Sequence, residues 1–276
     1  MGSGMNRPDS VPVFSGSIAE LYERHMVPMI FEPYAADLAG RVAALQPARV
    51  LELAAGTGAA TRALARGLPA SVELVATDLS QAMLDRAAAL GTPRPVRWEQ
   101  ADAGRLPYPD ANFDVVACQF GVMFFPDKAR AFSEARRVLR PGGALVFNTW
   151  DRLEENEFAD SVTTALAGHF PSDPPRFVAR TPHGYFDREV IAGDLGAGGF
   201  SVAPRFETRA ARSRASSARV AAIAFCQGTP LRGEIEARAS AGLAEATEAC
   251  TTALASRFGD GPVDGRMQAH VVAVRS

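Results

Sequence analysis

Gly56-Thr57-Gly58, Asp78, Asp102 and Gln119 are the residues of this 276-residue chain whose types and spacing carry chemistry. The glycine pair follows a short apolar run (Val50, Leu51, Leu53) and precedes Ala59 to Gly67, a stretch of helical composition. A strand that turns sharply into a helix leaves backbone N–H groups unpaired, and such a turn binds a polar or anionic group. Glycine suits the turn because it tolerates unusual backbone angles and lets a ligand touch the backbone. Asp78 ends the next strand-like run, Ser71 to Thr77, where a carboxylate can accept both hydroxyls of a ribose. Asp102, between the small residues Ala101 and Ala103, suits the exocyclic amine of an adenine in a flat slot. Plainer readings stand beside these: a tight turn that binds nothing, Asp78 as a helix cap, Asp102 as a turn former. A dinucleotide fingerprint wants a third glycine where this chain has Thr61.

These residues need a scaffold that brings strand ends together, and the rest of the pattern supplies one. Strand-like runs at Val50, Ser71 to Thr77, Val96 to Gln100, Phe113 to Cys118 and Ala144 to Trp150 alternate with helical stretches at Ala59 to Gly67, Ser80 to Ala89 and Lys128 to Leu139. Near-continuous apolar strands alternating with helices imply a mostly parallel sheet with helices on both faces. Ligands of such sheets sit beyond the carboxyl ends of the strands, so Gly56, Asp78, Asp102 and Gln119 belong to one edge. Upstream, Gly16 to His25 reads as a short helix with Ser17 as a possible N-cap, then a linker around Pro28, then a helix from Phe31 to Leu45. Downstream, helices are expected at Glu155 to Phe170, Asp187 to Leu195, Ser216 to Gly228 and, as one long element, Leu231 to Phe258. Strands are expected within Phe200 to Ala211 and at Met267 to Val274. The resulting division is a disordered, tag-like 1–15, a helical cover over 16–47 and a core over 48–276 with a substrate-side insertion at 151–199.

Composition narrows the classes. A net charge of −2 with interspersed signs lacks the basic footprint of a nucleic-acid binder. Three scattered cysteines, Cys118, Cys226 and Cys250, suggest neither a zinc site nor a disulfide framework and fit a reducing, cytoplasmic setting. No apolar run is long enough to span a bilayer. The expected partner is a small molecule, and the expected state a monomer or homodimer.

Five ordered segments now match a family. Glu52-Leu53-Ala54-Ala55-Gly56-Thr57-Gly58, Asp78, Asp102-Ala103, Phe113-Asp114-Val115-Val116 with Gln119, and Leu139-Arg140-Pro141-Gly142-Gly143 together resemble the class I S-adenosylmethionine-dependent methyltransferases. The resemblance is closest to the small-molecule branch that includes ubiquinone/menaquinone-biosynthesis-type enzymes, and covers chiefly Val50 to Trp150. It implies a Rossmann-like α/β sheet of seven mostly parallel strands with the last antiparallel, and S-adenosylmethionine as cofactor with S-adenosylhomocysteine as product. By position, Glu52 orders the glycine turn, and Gly56 and Gly58 border the methionine moiety. Asp78 binds the ribose, Leu79 packs on adenine, Met83 lines the same region, and Asp102 and Ala103 mark the adenine edge. Ala54, Thr57 and Ala101 join this set, Tyr22 and Tyr34 on the cover are possible ligand contacts, and Gln119 stands near the methionine part and the acceptor. The family commonly has glycine at the place of Ala54, which loosens the expected backbone approach there.

The implied reaction is in-line displacement by an oxygen, nitrogen, sulfur or carbon nucleophile of a small, moderately apolar acceptor, which needs alignment and desolvation above all. Where a proton must leave, His25 and His183 are the candidate bases, with His169 behind them and Tyr22 and Tyr185 as orienting groups. Each histidine also reads as a structural or solvated residue, and His270 in the closing strand more so. No cysteine/histidine cluster suggests a metal. Two alternatives stay open: an NAD(P)-dependent oxidoreductase, disfavoured by Thr61 and by the lack of a Tyr-x-x-x-Lys arrangement, and a non-catalytic S-adenosylmethionine-binding regulator or scaffold.

Overall fold

The computed structural model describes residues 17–238 and 242–276; the tag-like reading of 1–15 lies outside them. The chain begins with α1 (Ser17–Leu21), continues without a break through a π-helical segment (Tyr22–Phe31), and runs on into α2 (Glu32–Ala44). The linker expected at Pro28 is therefore helix. Proline has no N–H to give, and the wider i→i+5 register accommodates it: the Glu32 N–H reaches back to the Val27 carbonyl.

From there strands and helices alternate as the apolar pattern requires: β1 (Arg49–Leu53), α3 (Ala59–Gly67), β2 (Glu73–Asp78), α4 (Gln81–Leu90), β3 (Arg97–Gln100), β4 (Phe113–Gln119), α5 (Lys128–Val138) and β5 (Leu139–Trp150). Next come α6 (Glu157–His169), α7 (Phe177–Arg180), α8 (Arg188–Ala197), β6 (Arg205–Ala215), α9 (Ala218–Gln227), α10 (Leu231–Glu236), α11 (Leu243–Phe258) and β7 (Val263–Arg275). The single long helix expected over Leu231 to Phe258 is two helices. Gly233 and Gly242 both weaken a helix interior, and extended Gly242 starts α11.

Seven strands form one sheet in the order β3-β2-β1-β4-β5-β7-β6, with β7 antiparallel to both its neighbours. Alternation sorts the side chains by face. Val50, Val115 and Val146 pack against Leu38 and Val42 of α2 and Leu64 of α3, whereas Leu51, Val116, Leu145 and Phe147 meet Phe132 of α5 and Ile191 and Leu195 of α8. Helices thus cover both faces, and α2 is a sheet layer as much as a cover.

One feature of register shapes the ligand side. The last β5–β7 pair is Trp150 with Ala269, whereas β6 and β7 keep pairing to Ala215 with Val263. The two strands overhang the carboxyl edge as a ribbon, and α6, α9 and the π-helical segment pack around it.

Candidate active site

The turn after β1 is held by hydrogen bonds that the sequence implies only in part. The Ala55 N–H donates to the Thr77 carbonyl at 2.9 Å, and the Gly56 N–H donates to Asp78 Oδ2 at 2.8 Å. Asp78 Oδ1 accepts from the Ser80 N–H at 2.8 Å, while the Ser80 hydroxyl caps α4 through the Met83 N–H. Asp78 is therefore a brace for the turn, yet its three backbone N–H partners leave part of its four-lone-pair capacity for a ligand. Burial pushes its pKa up, against the pull of the N–H groups of Ser80, Gly56 and Leu79. Glu52, 1% exposed, is pushed up to about 8 by burial, with Thr61 and Arg62 opposing and Asp78 adding to the rise.

Three backbones near the turn take left-handed angles: Ala54 (φ 51°), Gly56 (φ 56°) and Gly58 (φ 84°). Glycine at position 54 would adopt this angle freely, whereas alanine is strained by roughly 1–2 kcal/mol. Gly121 lies opposite: a Cβ there would come within 2.4 Å of the Ala54 Cβ. Ala54 therefore requires a glycine at 121, packed directly against it.

A cleft of about 440 Å³ runs along this edge. Its wall includes Glu52, Ala54, Gly56, Thr57, Asp78, Leu79, Met83, Ala101, Asp102, Ala103 and Gln119, with Tyr22 of the π-helical segment among them. Leu79 is 48% exposed at the rim. Asp102 Oδ1 accepts from the Gly104 N–H at 2.8 Å, so its turn-forming role is realised while the residue still faces the cleft. Gly58 is not on the wall; a Cβ there would press on Trp98 at 3.0 Å and Ala87 at 3.2 Å, so this glycine serves packing.

A second, apolar chamber of about 80 Å³ adjoins the cleft, and Tyr22, Phe31, Phe120 and Phe124 belong to both. Phe120 takes φ 52°, a conformation that costs a non-glycine residue about 1–3 kcal/mol, and stacks face to face on Trp150 with ring centroids 3.9 Å apart. His183 lines the chamber beside Trp150. Its Nδ1 lies 2.9 Å from the Asp151 carbonyl, which can only accept, so Nδ1 carries the proton and Nε2 keeps a lone pair. Burial lowers the His183 pKa to about 4, leaving a neutral imidazole. Burial and then the charge of Asp78 push the Tyr22 phenol well above its ordinary value, which keeps it a hydroxyl.

Comparison with known proteins decides the family. A model described as "Methyltransferase domain" matches residues 51–147. The ubiquinone/menaquinone biosynthesis C-methyltransferase UbiE of Stutzerimonas stutzeri is 30% identical over 68% of this chain and 74% of its own length. The chain belongs to the S-adenosylmethionine-dependent methyltransferases. A demethylmenaquinone methyltransferase of Deinococcus radiodurans is 44% identical over 39% of this chain, and the match spans 45% of that relative's length. The YcgJ protein of Bacillus subtilis shares the fold, with a TM-score of 0.55 and 17% identity over 88% of this chain and 98% of that one. Membership of the family sets aside the oxidoreductase alternative.

The walls of this methyltransferase fit its cofactor on their own chemistry. Glu52 Oε2, Thr57 Oγ1 and Gln119 Oε1 are buried on the cleft without partners. They offer acceptors to a ligand with a cationic amine and a cationic sulfur, and unpartnered buried acceptors call for such a ligand.

Other expected residues lie elsewhere. His25 is half-buried outside both cavities, its pKa lowered by burial and by Arg24. The Tyr185 hydroxyl donates to Asp194 Oδ2 at 2.8 Å, and the Tyr34 hydroxyl donates to the Arg209 carbonyl at 3.0 Å. His270 is 3.3 Å from Asp151 Oδ1 through Nε2, a structural pairing on β7, and His169 lines neither cavity. Burial pushes the Cys118 thiol up to about 12, so it is no nucleophile.

Sequence reasoning missed Arg62. Its guanidinium donates to the Thr57 carbonyl and to Glu23 Oε1, both at 2.7 Å, tying the glycine turn to the π-helical segment. Gln119 Nε2 makes a second tie, donating to the Phe31 carbonyl at 3.0 Å. Arg62 follows Thr61 in an ordinary helix, and no local signal marks it.

Proposed function

We propose that the protein transfers a methyl group from S-adenosylmethionine to a small, moderately apolar acceptor held in the chamber. The observation that carries this reading is the shared wall: a cleft lined by orphaned acceptors and an apolar chamber meet at Tyr22, Phe31, Phe120 and Phe124. When bound, S-adenosylmethionine supplies a methyl group on a positively charged sulfur, already activated for displacement. Asp78, Leu79, Met83, Ala101, Asp102 and Ala103 hold the nucleoside part, while Glu52, Ala54, Gly56, Thr57 and Gln119 hold the amino-acid part. Gly58 supports this wall from behind.

The chain's own contribution is position and dryness. Tyr22 and the Phe120–Trp150 stack exclude water from the junction, which strengthens alignment and lowers the cost of desolvating the nucleophile. His183 Nε2 accepts a hydrogen bond from the acceptor. With a pKa near 4 it orients a hydroxyl or amine rather than removing a proton strongly at neutral pH. His25 stands too far outside to share that work.

The residues at 17–31 form the cover and those at 151–183 the acceptor side. Among the described residues no helix is long and apolar enough to cross a membrane. A cytoplasmic monomer or homodimer acting on a small molecule, with no nucleic acid involved, accords with the balanced charge and three unpaired, buried cysteines.

Calorimetric titration with S-adenosylmethionine and S-adenosylhomocysteine tests the reading, and binding of neither sinks it. Asp78→Ala removes both a ligand acceptor and the brace on Gly56, so affinity for S-adenosylhomocysteine falls by roughly 1.5–3 kcal/mol; an unchanged Kd refutes the role of Asp78.

A further inference from the structure

Ser213 takes no part in the cofactor cleft. It sits on the β6–β7 overhang, paired with Gly265, and lines the acceptor chamber. The residue is 2% exposed and its hydroxyl has no hydrogen-bond partner. A Cβ at Gly265 would lie 2.7 Å from the Phe158 ring, so that ring fills the neighbouring place and walls the chamber beside Ser213.

The chamber's other polar groups away from the shared wall are engaged. The Asn156 amide donates to the Asp151 and Arg152 carbonyls and accepts from the Gln268 N–H. The Thr229 hydroxyl donates to the Phe225 carbonyl and accepts from the Leu231 N–H. Arg266 pairs with Glu155 at 2.6 Å. What remains for a ligand is His183 Nε2 beside Trp150 and the Ser213 hydroxyl on the ribbon. Trp150 is level with Ala269 and Arg209, so Ser213 lies two strands across and four residues further out. Ordinary strand spacing and rise put their backbones roughly 16 Å apart. Two hydrogen-bonding groups on separate walls of an apolar chamber select where a ligand carries its polar atoms. A charged end group would be desolvated there with no unpaired opposite charge to receive it.

We infer that Ser213 is a specificity residue: its hydroxyl bonds an uncharged oxygen on the part of a small, apolar acceptor that enters the chamber. The inference rests on the proposed methyl transfer for the word acceptor, and on the chamber alone for binding. A buried hydroxyl left without a partner destabilises the ligand-free fold and is tolerated where a ligand supplies the partner.

The test is calorimetry of the full chain saturated with S-adenosylhomocysteine, with phenol, benzene and benzoate as probes, on the wild type and Ser213→Ala. The wild type is expected to bind phenol about fivefold more tightly than benzene and to reject benzoate. Ser213→Ala is expected to lose the preference for the hydroxyl, to keep its benzene affinity, and to unfold at the same or a higher temperature when ligand-free. Retained preference in the variant, no preference in the wild type, or a lowered unfolding temperature overturns the assignment. The same titrations without S-adenosylhomocysteine keep the comparison readable should that ligand fail to bind, an outcome that refutes methyl transfer and not the role of Ser213.

Discussion

At the scale of single residues, the glycine turn works because strain at one position is matched by absence at another. Ala54 carries a left-handed angle, and its Cβ occupies space that Gly121 leaves open. Gly121→Ala is therefore expected to destabilise the protein by about 1–3 kcal/mol through overpacking. Ala54→Gly in the same chain should recover only part, since a Cβ at 121 also lies 2.7 Å from Cys118 Sγ. A double-mutant cycle by denaturant unfolding measures the coupling, and additive effects refute it. Glu52 supplies a pH signature. Its pKa rises from the ordinary 4.5 to about 8 on folding, so between those values the folded state holds a proton that the unfolded state has released. Stability then falls as pH rises through that window, by at most about 1.4 kcal/mol per pH unit. Glu52→Gln should flatten that decline in the ligand-free protein, as followed by unfolding midpoints between pH 5 and 8. The turn itself was legible from Gly56, Gly58 and the apolar run before them. The burial that lifts Glu52 was not, because it depends on Thr61, Arg62 and Asp78 closing around it.

At the scale of elements, the π-helical segment is the part that local rules misread. Proline predicts a break where one residue is considered alone, but a wider helical register gives the Pro28 ring room against the preceding turn and carries the chain on into α2. The consequence is that Tyr22, Met26, Ile30 and Phe31 reach the cavities from one continuous rod. Two bonds pin that rod: Arg62 joins Glu23 to the glycine turn, and Gln119 holds the Phe31 carbonyl. The Arg62–Glu23 pair is largely shielded from solvent, so removing one partner strands a charge. Arg62→Ala is expected to weaken S-adenosylhomocysteine binding about tenfold, because it frees both the Thr57 carbonyl and Glu23. Glu23→Gln keeps the Thr57 contact and should weaken binding less while speeding amide exchange over residues 22–31. Equal affinity in all three proteins, by calorimetry, would show that the cover and the turn are not coupled.

At the scale of the molecule, the two halves of the site differ in how the chain encodes them. The sheet edge is written in local pattern: each apolar run ends where Gly56, Asp78, Asp102 or Gln119 stands, and parallel packing brings those ends together. The chamber has no such pattern. Its walls come from the π-helical segment, α6, the stretch around His183, the ribbon and α9, which meet only in three dimensions. Ligand response should divide the same way. A ligand that binds only the folded state at a hundred times its Kd stabilises by about 2.7 kcal/mol, roughly 5–10 °C in unfolding temperature at this chain length. With S-adenosylhomocysteine, slowed amide exchange is expected at residues 54–58 and 78–83, and through Arg62 and Gln119 at 22–31. The ribbon at 210–215 and 263–268 lies across the chamber from the cleft and should respond only when an acceptor-like ligand is added. Protection of the ribbon by S-adenosylhomocysteine alone, equal to that at 54–58, would mean that cleft and chamber close as one unit, so that the acceptor meets a site already formed.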